Sequence, residues 1–316
     1  MNSKKPTGVT PKNPNPEQTV FGLEDLREWH HDGVSLAVLG HPIAHSISPP
    51  MHNAALARMA ERVPRFRDWA YFKFDIAPET LPETLSLLHG AGFRGVNLTI
   101  PHKIEVLPLL SRIDPVARNM GAVNTLLWTP DGYEGYNSDG YGLSTAVREE
   151  LGVGLADGPV ILLGAGGAAR AAAVQCLEEN CPELWLGNRN PERLRELAAH
   201  LRELAPDAAR LKTFPLNDPP RRTAERGLII NATSVGLRPD DPPPLDLDLL
   251  PESYAVYDMI YNPPETTLLK MARARGMQAA NGLSMLVHQG VRSLEIWSGV
   301  EVPADAMRRA AERAAP

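Results

Sequence analysis

Short apolar runs rich in Val, Ile and Leu recur along this chain, and helical patterns fill most of the intervals between them. Strand candidates fall at residues 34–39, 70–76, 95–100, 123–129, 160–163, 184–187, 228–231 and 255–260. Helix candidates lie at 49–62, 78–89, 141–151, 168–180, 191–204, 266–275 and 285–297, with a short one near the C-terminus. Strands that alternate with helices form βαβ units, whose strands run parallel. Two such series are visible, one before about residue 140 and one after. The expected fold class is therefore α/β with two domains, which suits 316 residues at roughly 150 per domain.

The second series begins with a recognisable turn. The strand Val160-Ile-Leu-Leu163 runs straight into Gly164-Ala165-Gly166-Gly167-Ala168-Ala169 and then into an Ala-rich helix. This fits G-x-G-x-x-A in its required strand–turn–helix context. Gly164 permits the tight turn, Gly166 lets a pyrophosphate approach the backbone, and Ala169 permits close helix–strand packing. The helix N-terminus offers free N–H groups to that anion. Roughly 20 residues on, where an acid would hold the ribose 2′-hydroxyl of NAD, stand Asn188 and Arg189, with Arg193 a turn further along. Two guanidiniums four apart can share a face and clamp a 2′-phosphate. That points to NADP(H) rather than NAD(H).

The first series carries polar segments just after its strands. Ser46 and Ser48 lie two apart, so in an extended segment their hydroxyls point the same way and suit a carboxylate. Ser48 equally reads as an N-cap with Pro49 at the first helical position. Lys103 follows Pro101 at the start of a helix, where the dipole disfavours a cation, unless the ammonium points into a cleft. Asp139 is placed to cap the helix that follows it.

Composition narrows the partners. A net charge of −6 gives no global pull toward nucleic acid or an anionic membrane, so local groups must hold any anionic ligand. No apolar run approaches the ~20 residues of a membrane span. Residues 1–20 lack the apolar core of a secretory signal and read as a flexible extension. A short amphipathic helix is expected after it, with Val20, Leu23 and Leu26 on one face. The two cysteines, Cys176 and Cys181, read as buried free thiols in a reducing compartment. The expected address is the cytoplasm, and either a monomer or a homodimer is compatible. A metal site on His41, His45 and His52 matches no known ligand spacing and is not expected.

Nine segments in order then resemble the shikimate dehydrogenase family, NADP-dependent enzymes that reduce 3-dehydroshikimate to shikimate. They are HSISPPMHN at 45–53, NLTIPHK at 97–103, GAVNT at 121–125, NSD at 137–139, GAGGA at 164–168, NR at 188–189, NATSVG at 231–236, YDMIY at 257–261 and NGLSMLVHQ at 281–289. The resemblance implies a catalytic pair, Lys103 and Asp139. It implies carboxylate-binding serines at Ser46 and Ser48, and further substrate contacts at Thr99, Asn124, Tyr261 and Gln289. Cofactor contacts would be Gly164, Ala165, Gly166, Gly167, Ala168, Asn188, Arg189, Thr233, Met259, Gly282 and Met285, with Arg193 added by its spacing alone. It also implies the domains: residues 34–139 with 282–316 for substrate, on a mostly parallel sheet, and 140–281 as a doubly wound, Rossmann-type NADP-binding domain. Residues 1–33 fall outside that pattern as a partly disordered extension. Ser138 stands where the family often has Thr, and Asn190 replaces a common Thr after the Asn-Arg pair. Rival readings are a quinate/shikimate dehydrogenase using NAD and a ligand sensor without turnover; retention of both Lys103 and Asp139 argues against the sensor.

Overall fold

The computed structural model describes residues 15–205, 210–216, 218–220, 224–238 and 240–315. Most of the expected flexible extension, residues 1–14, lies outside the described residues.

Two sheets organise the chain. The first holds β1 (Val20–Phe21), β2 (Val34–Gly40), β3 (Trp69–Asp75), β4 (Gly95–Leu98), β5 (Arg112–Ile113), β6 (Thr125–Thr129) and β7 (Gly132–Tyr136), in the order β1-β3-β2-β4-β6-β7-β5. Its first four strands in that order run parallel, and β6 is antiparallel to both neighbours. Only Pro130 and Asp131 separate β6 from β7, and so short a connection joins only antiparallel strands. The second sheet holds β8 (Val160–Leu163), β9 (Leu184–Gly187), β10 (Leu211–Phe214), β11 (Leu228–Asn231), β12 (Ala255–Asp258) and β13 (Ala279–Asn281). All are parallel, in the order β10-β9-β8-β11-β12-β13. That is the doubly wound nucleotide-binding order, with its reversal, and hence its ligand crevice, between β8 and β11.

The helices among the described residues are α1 (Leu23–Arg27), α2 (Ser48–Arg62), α3 (Leu81–Gly90), α4 (His102–Glu105), α5 (Pro115–Met120), α6 (Asp139–Leu151), α7 (Gly167–Glu178), α8 (Pro191–Leu204), α9 (Thr267–Ala274), α10 (Leu283–Ser298) and α11 (Ala304–Ala314). Their local causes are plain in the sequence. On α8, Leu194, Leu197, Ala198 and Leu201 form one buried stripe, and the Asn190 side chain accepts from the backbone N–H groups of Glu192 and Arg193 to cap it. On α7, buried Ala169, Ala171, Ala172 and Ala173 let the helix lie close to β8. Cys176 lies on α7 and Cys181 just past its end; both are buried and unbridged.

The last two helices return to the first sheet. Trp297 of α10 is fully buried there and donates its indole N–H to the Leu126 carbonyl at 2.8 Å. Gly95 makes room for it, since a Cβ there would sit 2.3 Å from the Trp297 ring. Truncating a buried Trp costs about 3–5 kcal/mol, so this contact anchors α10, which also carries site residues.

The segment before residue 34 differs from expectation. Val20–Phe21 adds a parallel strand beside β3, and only α1 after it is helical. The cause is aromatic packing: Phe21 and Trp29 meet edge-on at 5.2 Å, and Trp29 also reaches Phe72 at 4.9 Å and Phe93 at 5.2 Å.

Candidate active site

A cavity of about 440 Å³ opens between the two sheets, a size suited to a small ligand. Lys103 and Asp139 stand together in its wall. The Lys103 ammonium donates to one Asp139 carboxylate oxygen at 2.7 Å, and the Asn124 amide donates to the other at 2.8 Å. Different elements supply the three groups: α4, the first residue of α6, and the residue before β6. Asp139 is 8% exposed and Lys103 22%, so the pair is largely desolvated yet reachable from the cavity.

The carboxylate of Asp139 does not cap its helix. Ser138 occupies the cap position, and Asp139 is already helical. That frees both oxygens for Lys103 and Asn124. Ser48 likewise is the first residue of α2 rather than its cap, with Ile47 at the cap position and no side-chain cap bond. Ser46 and Ser48 therefore sit on a turn into a helix, not on an extended segment, and both still line the cavity. The loop that carries them is tied down from β3. The Lys73 ammonium donates to the Ala44 carbonyl at 3.2 Å, and Asp75 pairs with His41 at 2.5 Å. Burial lowers the proton affinity of Lys73. Behind them His52 stacks on Tyr71 at 4.0 Å and donates Nδ1–H to the Ser48 carbonyl.

Thr99, Tyr261 and Gln289 complete the polar wall. Burial raises the pKa of the Tyr261 phenol. Gln289 is held by its own amide, which donates to the Leu286 carbonyl at 2.9 Å. Gly142 lets α6 and α10 touch, since a Cβ there would lie 2.9 Å from the Gln289 backbone nitrogen. The helix bearing Asp139 and the helix bearing Gln289 are thus locked together.

The second sheet supplies the opposite side: Ala168, Met259, Gly282 and Met285 line the same cavity. Gly164 has φ +122°, and a Cβ on it would come within 2.8 Å of the Ala232 carbonyl, so β8 and β11 close up there. Gly166 stands at the N-cap of α7 without any side-chain cap, and a Cβ on Gly166 or Gly167 would meet nothing within 4 Å. Bare N–H groups at a helix N-terminus with open space above them form a cradle for a pyrophosphate. The residues therefore fit a dinucleotide. Ala165 lies in this loop, packed against the second core. Thr233 lies at the β11 end of the crevice, outside the cavity wall, where its hydroxyl donates to the Asn231 side chain at 2.7 Å.

A separate cavity of about 810 Å³ lies along α8 and the end of β10. Asn188 and Arg189 line it, as expected of groups past the second strand. Arg193 does not; Arg195 and Arg202 do. Seven residues apart, those two share the α8 face turned to β10, whereas Arg193 is exposed elsewhere on the helix.

Residues 38–126 match the shikimate dehydrogenase substrate binding domain, and residues 282–312 match the shikimate 5′-dehydrogenase C-terminal domain. A shikimate dehydrogenase (NADP(+)) of Symbiobacterium thermophilum is 42% identical over 88% of this chain and 94% of that protein. This chain belongs to the shikimate dehydrogenase family. Another relative of the same designation, from Moorella thermoacetica, is 40% identical over 87% of this chain and 91% of its own length. The solved shikimate 5-dehydrogenase of Thermus thermophilus, in complex with NADP(H) and shikimate, superimposes with a TM-score of 0.78 at 38% identity, covering 89% of this chain and 99% of that one.

Against that family pattern, the structure brings Ser46, Ser48, Thr99, Lys103, Asn124, Asp139, Tyr261 and Gln289 to one cavity. Sequence reasoning assigned no part to His45 or Asn97, which also line it. Both lie inside family segments, so their position was the available signal. Arg195 and Arg202 were passed over because their cavity exists only once β10 is placed.

Proposed function

We propose that this chain catalyses the reversible NADPH-dependent reduction of 3-dehydroshikimate to shikimate. The observation that carries this reading is the Lys103–Asp139 pair, 2.7 Å apart, in the wall of a cavity shared by both sheets. The Gly164–Ala168 turn and Arg189 would hold NADPH, which would supply the hydride. Residues 34–139 and 282–316 form the substrate lobe in this reading, and residues 140–281 the cofactor lobe, with hinge closure over both ligands.

The chain's own groups do the rest. Ser46 and Ser48, at the N-terminal end of α2, offer hydroxyl donors to a carboxylate, helped by the helix dipole. The Lys103 ammonium faces the ketone oxygen, stabilises negative charge as it forms and gives Nζ–H to the alkoxide. Asp139 holds Lys103 aimed through their 2.7 Å bond. Tyr261 and Gln289 bound the ring on the remaining sides. Among the described residues no helix is long and apolar enough to cross a membrane.

A substrate panel crossing shikimate and quinate with NADP+ and NAD+ tests the reading. Shikimate with NADP+ should give the highest kcat/KM. A higher value for quinate with NAD+, or no turnover of any pair, would overturn it.

A further inference from the structure

A buried hydrogen-bond chain runs behind the cavity from Tyr71 to Asp139. The Tyr71 phenol donates to the Asn97 side-chain carbonyl at 2.8 Å. The Asn97 amide donates to the Ser293 hydroxyl at 3.0 Å, and Ser293 lies 2.8 Å from the Thr125 hydroxyl. Thr125 donates to the Asn124 side-chain carbonyl at 2.9 Å. The Ser293 hydroxyl also donates to the Gln289 carbonyl at 2.9 Å. Asn124 then donates to Asp139, whose other oxygen receives Lys103. Tyr71, Asn97, Asn124, Thr125, Ser293 and Asp139 are all buried.

The last donor of this chain, the Asn124 amide, points at Asp139. In a dry interior linked hydrogen bonds reinforce one another, and the groups behind Asn124 fix its orientation. We propose that Thr125 and Ser293 are positioning residues for the catalytic pair, holding Asp139 in one orientation through Asn124. Ser293 is the link supplied by α10, so the helix that carries Gln289 also helps set the aim of Lys103. The inference rests on the functional reading above, in which Lys103 and Asp139 act on the substrate.

Thr125→Val deletes one hydroxyl at nearly constant shape, Thr125→Ser keeps it, and Ser293→Ala breaks the next link. The measurements are kcat and both KM values for shikimate and NADP+, with unfolding temperatures alongside. Thr125→Val and Ser293→Ala should each lower kcat about five- to tenfold, the scale of one hydrogen bond, with both KM values within about twofold; Thr125→Ser should restore kcat. If Thr125→Val fails to fold, Ser293→Ala carries the same comparison. Full kcat in the hydroxyl-deleted variants, a loss confined to KM, or equal losses in Thr125→Val and Thr125→Ser would overturn the positioning role. An inert wild type would overturn the functional reading and this inference with it, whereas an active wild type beside a fully active Thr125→Val removes this inference alone.

Discussion

Replacing Lys103 with Met keeps the aliphatic stem and removes the ammonium. In the structure that ammonium makes a 2.7 Å bond to Asp139 and faces the cavity. Losing a positioned proton donor costs about 10²–10⁴ in rate. At ~1.36 kcal/mol per tenfold, that is ~3–5 kcal/mol of transition-state stabilisation. The dinucleotide cradle lies on α7, across the cavity, so NADPH affinity should stay within about twofold. Steady-state reduction of 3-dehydroshikimate, followed by nicotinamide absorbance, gives kcat; quenching of tryptophan fluorescence by NADPH gives the dissociation constant. The substitution also leaves the buried Asp139 carboxylate without its cation, which lowers stability. Adding Asp139→Asn should recover unfolding temperature but not rate. A Lys103→Met enzyme that keeps kcat within about threefold of wild type would refute the assignment, since no other ammonium lines that cavity among the described residues.

Arg189→Ala should raise the KM for NADPH by roughly tenfold or more, the worth of a charge-assisted hydrogen bond, and leave that for NADH unchanged; equal effects would contradict the 2′-phosphate role. Gly166→Val should raise the KM for NADPH at least about tenfold while shifting the unfolding temperature by only ~2–4 °C, because its side chain enters open space over the α7 N-terminus; unaltered NADPH kinetics would remove the pyrophosphate from that turn. Burial lowers the pKa of the His52 imidazole from 6.5 to about 4. Between those values the unfolded chain takes up a proton that the folded chain refuses, so stability is intact above about pH 6.5 and falls on acidification toward pH 4, by up to ~3 kcal/mol at ~1.36 kcal/mol per unit. Urea unfolding at pH 7 and pH 4.5 should show a smaller acid loss in His52→Phe than in wild type; identical losses would clear His52.

The two-domain α/β fold was legible because its central strands carry apolar runs: Val160–Leu163 throughout and Leu228–Ile230 within Leu228–Asn231, both strands buried at every position. The strands that escaped notice lack that signal. In β10 (Leu211–Phe214) only the two ends are buried, β13 (Ala279–Asn281) has no β-branched residue, and β7 (Gly132–Tyr136) contains two glycines. The site divides the same way. Local motifs marked Lys103, Asp139 and the glycine turn, because each must sit at a strand end or helix start to work. A cap and a first helical residue differ by one position, so sequence read Asp139 as a plausible cap when its carboxylate is in fact free to pair. Distance along the chain hid the rest. Thr125 and Ser293 lie 168 residues apart, and nothing in either's neighbourhood announces the other. Their meeting requires α10 to return to the first sheet, which the buried Trp297 secures. The groups assigned to the chemistry are thus written locally, while the connections that aim them exist only after the chain has closed on itself.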